Sequence, residues 1–207
     1  MSEATLNAAN LRHILSQSAK SQFQASLQLK EDFLASDALE TLVSMAERIG
    51  QSILMGGKLM LCGNGGSAAD AQHLAAELLV RLRPQVNRAP IPALALALDS
   101  SSLTACANDY GFEQIYARMV QALAKPGDVL LGLSTSGRSQ NVIQALMTAK
   151  SQSVLSFGFL GGDGGQTLPL CDLAIVVPVF DPNRVQEIHI TAGHILMDLI
   201  EQIIMRT

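Results

Sequence analysis

The residues best able to do chemistry fall in a few short stretches. His73 and Glu77 stand four apart, so on a helix they share one face and can approach one ion or one substrate atom, with Asp70 a turn earlier. The same spacing also fits an ordinary i,i+4 pair on a solvated helix. Ser134-Thr135-Ser136-Gly137-Arg138-Ser139 sets four hydroxyls and a run of amides around one glycine, a composition suited to holding a phosphate. One of these serines is also expected to cap the helix that follows. Gly63-Asn64-Gly65-Gly66-Ser67 lets the backbone approach a ligand closely, although a plain strand–helix turn would read the same way. Gln186, His189 and His194 stand among aliphatic residues near the C-terminus. Asn108-Asp109 reads either as a turn or as a hydroxyl-binding pair. Gly161-Gly162-Asp163-Gly164-Gly165 is a glycine turn with no assigned chemistry, and His13 is a surface residue without a partner in view.

These stretches need elements to hold them. Leu6 to Ala35 carries Leu11, Ile14, Leu15, Phe23, Leu27 and Phe33 without Gly or Pro, which predicts one or two long helices. Ser36-Asp37 is the expected N-cap of a second helix whose buried stripe is Leu39, Leu42, Val43, Ala46, Ile49 and Ile53, ending at Gly56-Gly57. Short apolar runs then follow at Lys58–Cys62, Ala93–Leu98, Val129–Leu133, Val154–Phe159 and Leu173–Val177, alternating with helix-length segments. Runs this short, bounded by Gly, Pro, Asp or Ser, predict buried parallel strands in an open sheet covered by helices on both faces. In such a sheet the ligand sits outside the carboxyl ends of the strands, where the polar loops fall. A last helix is expected from Arg184 to Arg206. The division is an N-terminal helical arm over 1–57, part of the same unit, and an α/β domain over 58–207.

Composition narrows the function classes. Of 207 residues, 48% are hydrophobic and 15% charged, which fits elements buried on several sides and excludes a disordered chain. A net charge of −4 without a basic run is not the footprint of a nucleic-acid binder. Cys62, Cys106 and Cys171 form no Cys-x-x-Cys and no framework, so a reducing cytoplasm is expected. The opening MSEATLNAANL lacks a basic segment leading into an apolar core, so no signal peptide is expected, and no apolar run was read as long enough to span a bilayer.

Taken in order, GNGGSxxDAxHxAxE, ND, STSGxS and RxQEIHxxxxH resemble the phosphoheptose isomerases of the SIS (sugar isomerase) superfamily across nearly the whole chain. STSGxS alone would indicate only the wider superfamily. The resemblance implies an SIS-type open parallel sheet of about five strands with an N-terminal helical arm. It implies conversion of sedoheptulose 7-phosphate to D-glycero-D-manno-heptose 7-phosphate, the first step toward ADP-heptose for the lipopolysaccharide core. By the same resemblance Asn64, Gly65, Gly66 and Ser67 line the substrate loop, and Asn108 and Asp109 contact sugar hydroxyls. Ser134, Thr135, Ser136 and Ser139 hold the phosphate. His73, Glu77, Gln186 and His194 match positions associated with one zinc ion per subunit. Glu77 and Gln186 also contact the substrate, with Glu77 and His194 the acid/base pair. The family's assembly implies a cytoplasmic homotetramer with active sites at subunit contacts.

The chain departs from relatives at Ala76, where many carry a second acidic residue, and at Asn183, where some carry Asp. Two other readings remain open: a catalytically inactive SIS module associated with a replication initiator, and a different sugar-phosphate SIS isomerase. The inactive relative lacks the glutamate and the second histidine, whereas this chain keeps Glu77 and His194. Which of the two takes the carbon-bound proton is not assigned. On an unbroken helix Gln186 and His194 are roughly 12 Å apart along the axis, so joint ligation needs extended side chains. His189 is assigned to packing.

Overall fold

A computed structural model describes residues 3–97 and 99–206, with side chains from Asn10 onward. It contains two compact units that divide between Ser36 and Asp37. The first is one helix, α1 (Glu3–Leu34), uninterrupted because no Gly or Pro breaks its 32 residues. Leu11, Ile14, Leu15, Phe23 and Leu27 are each more than half exposed.

The second unit begins with α2 (Ala38–Leu54), followed by β1 (Leu59–Gly63), α3 (Gly66–Leu79) and β2 (Ala93–Ala95). After these come α4 (Ser100–Tyr110), α5 (Ile115–Leu123), β3 (Val129–Ser134) and α6 (Gln140–Ser151). The chain ends with β4 (Leu155–Gly161), β5 (Leu173–Val177) and α7 (Pro182–Arg206). All strand pairs are parallel and the order is β2-β1-β3-β4-β5. Because side chains alternate along a strand, Met60, Cys62 and Leu130 pack with Tyr116, Val120, Val142 and Leu146 from α5 and α6. On the other side α3 packs on β1, β2 and α7, and α2 packs on α7 and β5.

Several boundaries differ from the sequence reading. The second strand was expected over six residues and runs over three: Leu96 N still donates to Leu61 O on β1 at 2.9 Å, and the chain then turns at Leu96 and Ala97, with Gln72 Nε2 donating to Ala97 O. Leu98, its expected last residue, lies outside the described residues. Asp37 is the N-cap of α2 but makes no side-chain cap bond. Within α2 Val43 is exposed, and Met45 takes the buried place. On α7, Ile195 is likewise exposed, while Ile188, Leu196 and Ile200 are buried. That helix starts two residues early, at Pro182, because Asp181 Oδ1 accepts from Asn183 N and proline suits the first helical position.

By length and composition α7 could cross a membrane, with a mean hydropathy of 1.2, which the sequence reading had not anticipated. Its core packing and its buried Glu201, paired with Arg88, mark it instead as a core helix.

Candidate functional site

The strand order reverses direction between β1 and β3, so a crevice opens outside their carboxyl ends. Both polar loops flank it. Gly63 ends β1, and its carbonyl accepts from the buried Tyr116 hydroxyl. Burial pushes that phenol above its usual range, so it stays a donor. Asn64 then turns toward Asn141 on α6. Asn64 Nδ2 donates to Asn141 Oδ1 at 2.8 Å, and Asn141 Nδ2 donates to Asn64 Oδ1 at 2.7 Å. Gly66 lets the Gln186 amide rest against the backbone, since a Cβ there would lie 2.5 Å from both its amide heavy atoms and displace it. Ser67 is buried in the first turn of α3.

After β3, Ser134 Oγ and Ser139 Oγ are 3.1 Å apart, and Arg138 N donates to Ser136 Oγ. Ser134 is buried, Thr135 and Ser139 are half-buried and Ser136 is exposed. Ser139 is the N-cap of α6 yet makes no cap bond, contrary to the expectation that a serine would be used this way. Its hydroxyl faces Ser134 instead. The glycine turn after β4, to which no chemistry was assigned, braces this loop. Arg138 pairs with Asp163 at 2.8 Å, and Thr167 donates to Gly137 O through both its hydroxyl and its N–H.

The third group lies where α3 meets α7. His73 Nε2 and His194 Nε2 are 2.8 Å apart, and Glu77 Oε1 is 3.3 Å from His73 Nε2. One candidate ligand atom from each of the three lies within 4.8 Å of the others. The rings stand edge to face. Gly193 permits this approach, since a Cβ there would meet the Leu74 side chain at 2.6 Å. Two imidazoles and a carboxylate converging on one point are a donor set that zinc accepts. Gln186, eight residues before His194 on the unbroken α7, rests over Gly66. Burial raises the Asp70 carboxyl above its usual range, opposed by the Gln186 hydrogen bond and by nearby His73 and His194.

Asn108 and Asp109 lie in the last turn of α4 rather than in a loop, both exposed, with Asn108 Nδ2 donating to Asp109 Oδ1 at 2.8 Å. His189 is fully buried, and its Nε2 meets Leu160 O at 3.2 Å, a packing role as expected. Three contributors escaped the sequence reading: Asn141, Tyr116 and Arg88. Arg88 donates to Glu77 O and Leu78 O at the end of α3 and is paired with Glu201 at 2.6 Å. A polar residue at the second position of α6, among aliphatics, was the available signal for Asn141.

An open parallel sheet with a hydroxyl-rich loop at its switch point defines a class of phosphosugar-binding α/β domains. Consistent with that class, residues 22–159 match the SIS domain family. The chain is 51% identical to the phosphoheptose isomerase of Chlorobaculum parvum over 177 residues, covering 85% of this chain and 84% of that one. It is 44% identical to the phosphoheptose isomerase of Roseiflexus sp. over 181 residues, 87% of this chain and 90% of that one. The solved phosphoheptose isomerase of Neisseria gonorrhoeae superposes with a TM-score of 0.84 at 38% identity, covering 91% of this chain and 99% of that one. The chain belongs to the SIS-domain family and, within it, to the phosphoheptose isomerases.

Proposed function

We propose that the protein isomerises sedoheptulose 7-phosphate to D-glycero-D-manno-heptose 7-phosphate, supplying the first intermediate toward ADP-heptose for the lipopolysaccharide core. The convergence of His73, Glu77 and His194 beside the hydroxyl-rich crevice carries this reading. A ketose becomes an aldose when a proton moves from C1 to C2 and another moves between their oxygens, through an enediol. Glu77 and His194 are the pair that would move these protons. Ser134, Thr135, Ser136 and Ser139 would hold the phosphate, turning binding at the far end into orientation at the reacting carbons. Asn64, Gly65, Gly66 and Ser67, together with Asn108, Asp109 and Gln186, would contact the sugar.

His73, Glu77 and His194, with Gln186 the fourth candidate, would hold one zinc ion per chain. When bound, zinc supplies Lewis acidity at the sugar carbonyl. A cytoplasmic homotetramer with sites at subunit contacts completes the proposal. The exposed apolar residues of α1 support it, since such side chains are commonly covered in an assembly. The inactive binding-module reading gains no support from a chain that keeps both Glu77 and His194.

The direct test is to incubate purified protein with sedoheptulose 7-phosphate and assay the aldose heptose phosphate. Its formation is expected, and no product would refute the activity. Elemental analysis of protein purified without chelator should find about one zinc per chain.

A further inference from the structure

The two crevice loops are joined by one pair of amides, and the orientation of that pair is dictated from outside it. The Val142 backbone N–H donates to Asn141 Oδ1 at 3.0 Å. Only an oxygen can accept there, so the Asn141 carboxamide has one permitted orientation. Its oxygen also accepts from Asn64 Nδ2, which leaves Asn141 Nδ2 to donate back to Asn64 Oδ1. Asn141 is 2% exposed, whereas Asn64 is half-buried at the crevice. Of Asn64's amide groups, one lone pair of the oxygen and one N–H are therefore committed to Asn141. Asn64 keeps its second N–H and one lone pair of its oxygen, on opposite sides of the amide, and the pairing with Asn141 fixes which side carries which.

We propose that Asn141 is a positioning residue: it holds the Asn64 amide in one orientation, and so fixes where Asn64 offers a donor and where an acceptor to the bound sugar. The proposal rests on the reading of Asn64 as a sugar contact. It has a second consequence. Asn141 lies in the first turn of α6, directly after the hydroxyl loop, so the sugar contact and the phosphate cradle are fixed to one another. Asn141 need not touch the ligand. It acts by denying Asn64 the flipped amide, which would exchange donor and acceptor toward the sugar.

Isothermal calorimetry with inorganic phosphate and with sedoheptulose 7-phosphate tests this on the full chain, independently of turnover. Four proteins suffice: wild type, Asn141→Ala, Asn64→Ala and the double variant. Asn141→Ala should weaken sugar-phosphate binding by about tenfold, the scale of one or two hydrogen bonds. Phosphate alone should bind within about twofold of wild type, because the hydroxyl loop is untouched. The double variant should bind the sugar phosphate no more weakly than Asn64→Ala. Asn141→Ser, which keeps a hydroxyl near Val142 N but is too short to reach Asn64, should behave like Asn141→Ala, and it serves if the alanine variant fails to fold. Additive losses in the double variant, an equal loss for phosphate alone, or unchanged sugar-phosphate affinity would each overturn the proposal. A wild type that binds the sugar phosphate but does not turn it over would sink the isomerase reading alone and leave this result standing.

Discussion

At the scale of single residues, the hydroxyl loop makes a sharp demand. Ser136 Oγ accepts from Arg138 N, Ser139 Oγ lies beside Ser134 Oγ, and Ser139 is not spent on capping α6. On the proposed phosphate role, replacing both with alanine removes donors to a charged oxygen, each worth roughly 1.5–3 kcal/mol. KM for sedoheptulose 7-phosphate should rise at least about tenfold while the thermal midpoint stays near wild type, as steady-state kinetics and a melting curve would report. This loop was legible because its chemistry sits in consecutive residues. The convergence of His73, Glu77 and His194 was legible only by resemblance. The spacing of His73 and Glu77 is equally that of a surface pair, and nothing local in the sequence brings His194 across 121 residues. Asn141 was missed for a related reason: a single asparagine announces nothing until its partner, 77 residues away, is known.

Elements explain how those residues keep their places. The strands were legible because buried parallel strands read as continuous apolar runs, and Val129–Leu133 and Leu173–Val177 are such runs. The length of β2 was not, since its apolar run continues into the turn at Leu96 and Ala97, while β1 beside it runs on to Gly63. Helix faces were partly legible. Val43 and Met45 on α2 are both apolar, and the positions of α7 and β5 decide which is buried. The C-terminus of α3, just beyond Glu77, depends on Arg88, which caps two carbonyls and neutralises the buried Glu201. Arg88→Ala leaves Glu201 charged and unpaired, so urea denaturation should show a loss of about 3–5 kcal/mol. Arg88→Ala combined with Glu201→Gln should recover part of it, because the uncompensated charge is gone. A loss below about 1 kcal/mol in the single variant would show that this brace is not structural.

Across the whole molecule, stability carries a pH signature from the centre of the α7 packing. His189 is fully buried, and its Nε2–H donates to Leu160 O, leaving Nδ1 without a partner among the described residues. Burial lowers its pKa from 6.5 to about 4. Between those values the unfolded chain binds a proton that the folded chain refuses, so stability falls as pH drops from about 6.5 toward 4 and is complete above that window. The full effect is about 3 kcal/mol on this shift. Carboxylates titrate in the same range, so the informative quantity is the difference between wild type and His189→Gln in urea unfolding at several pH values. Wild type should lose its advantage over the variant as pH falls through the window. A difference that is flat with pH would contradict the neutral buried imidazole.

The proposed isomerisation requires Glu77 and His194 to move protons rather than merely fill a helix interface. Glu77→Gln and His194→Asn keep approximate size and polarity while removing a titratable group, so packing should change little. The decisive measurement is the rate at which wild type, each single variant and the double variant form aldose heptose phosphate from saturating sedoheptulose 7-phosphate. Turnover should fall at least ~10²-fold in each single variant, the scale of lost general acid–base catalysis. The double variant should be little worse than either, since members of one catalytic unit fail together. Wild-type-like turnover in both single variants would contradict the assignment of this site while leaving the fold intact.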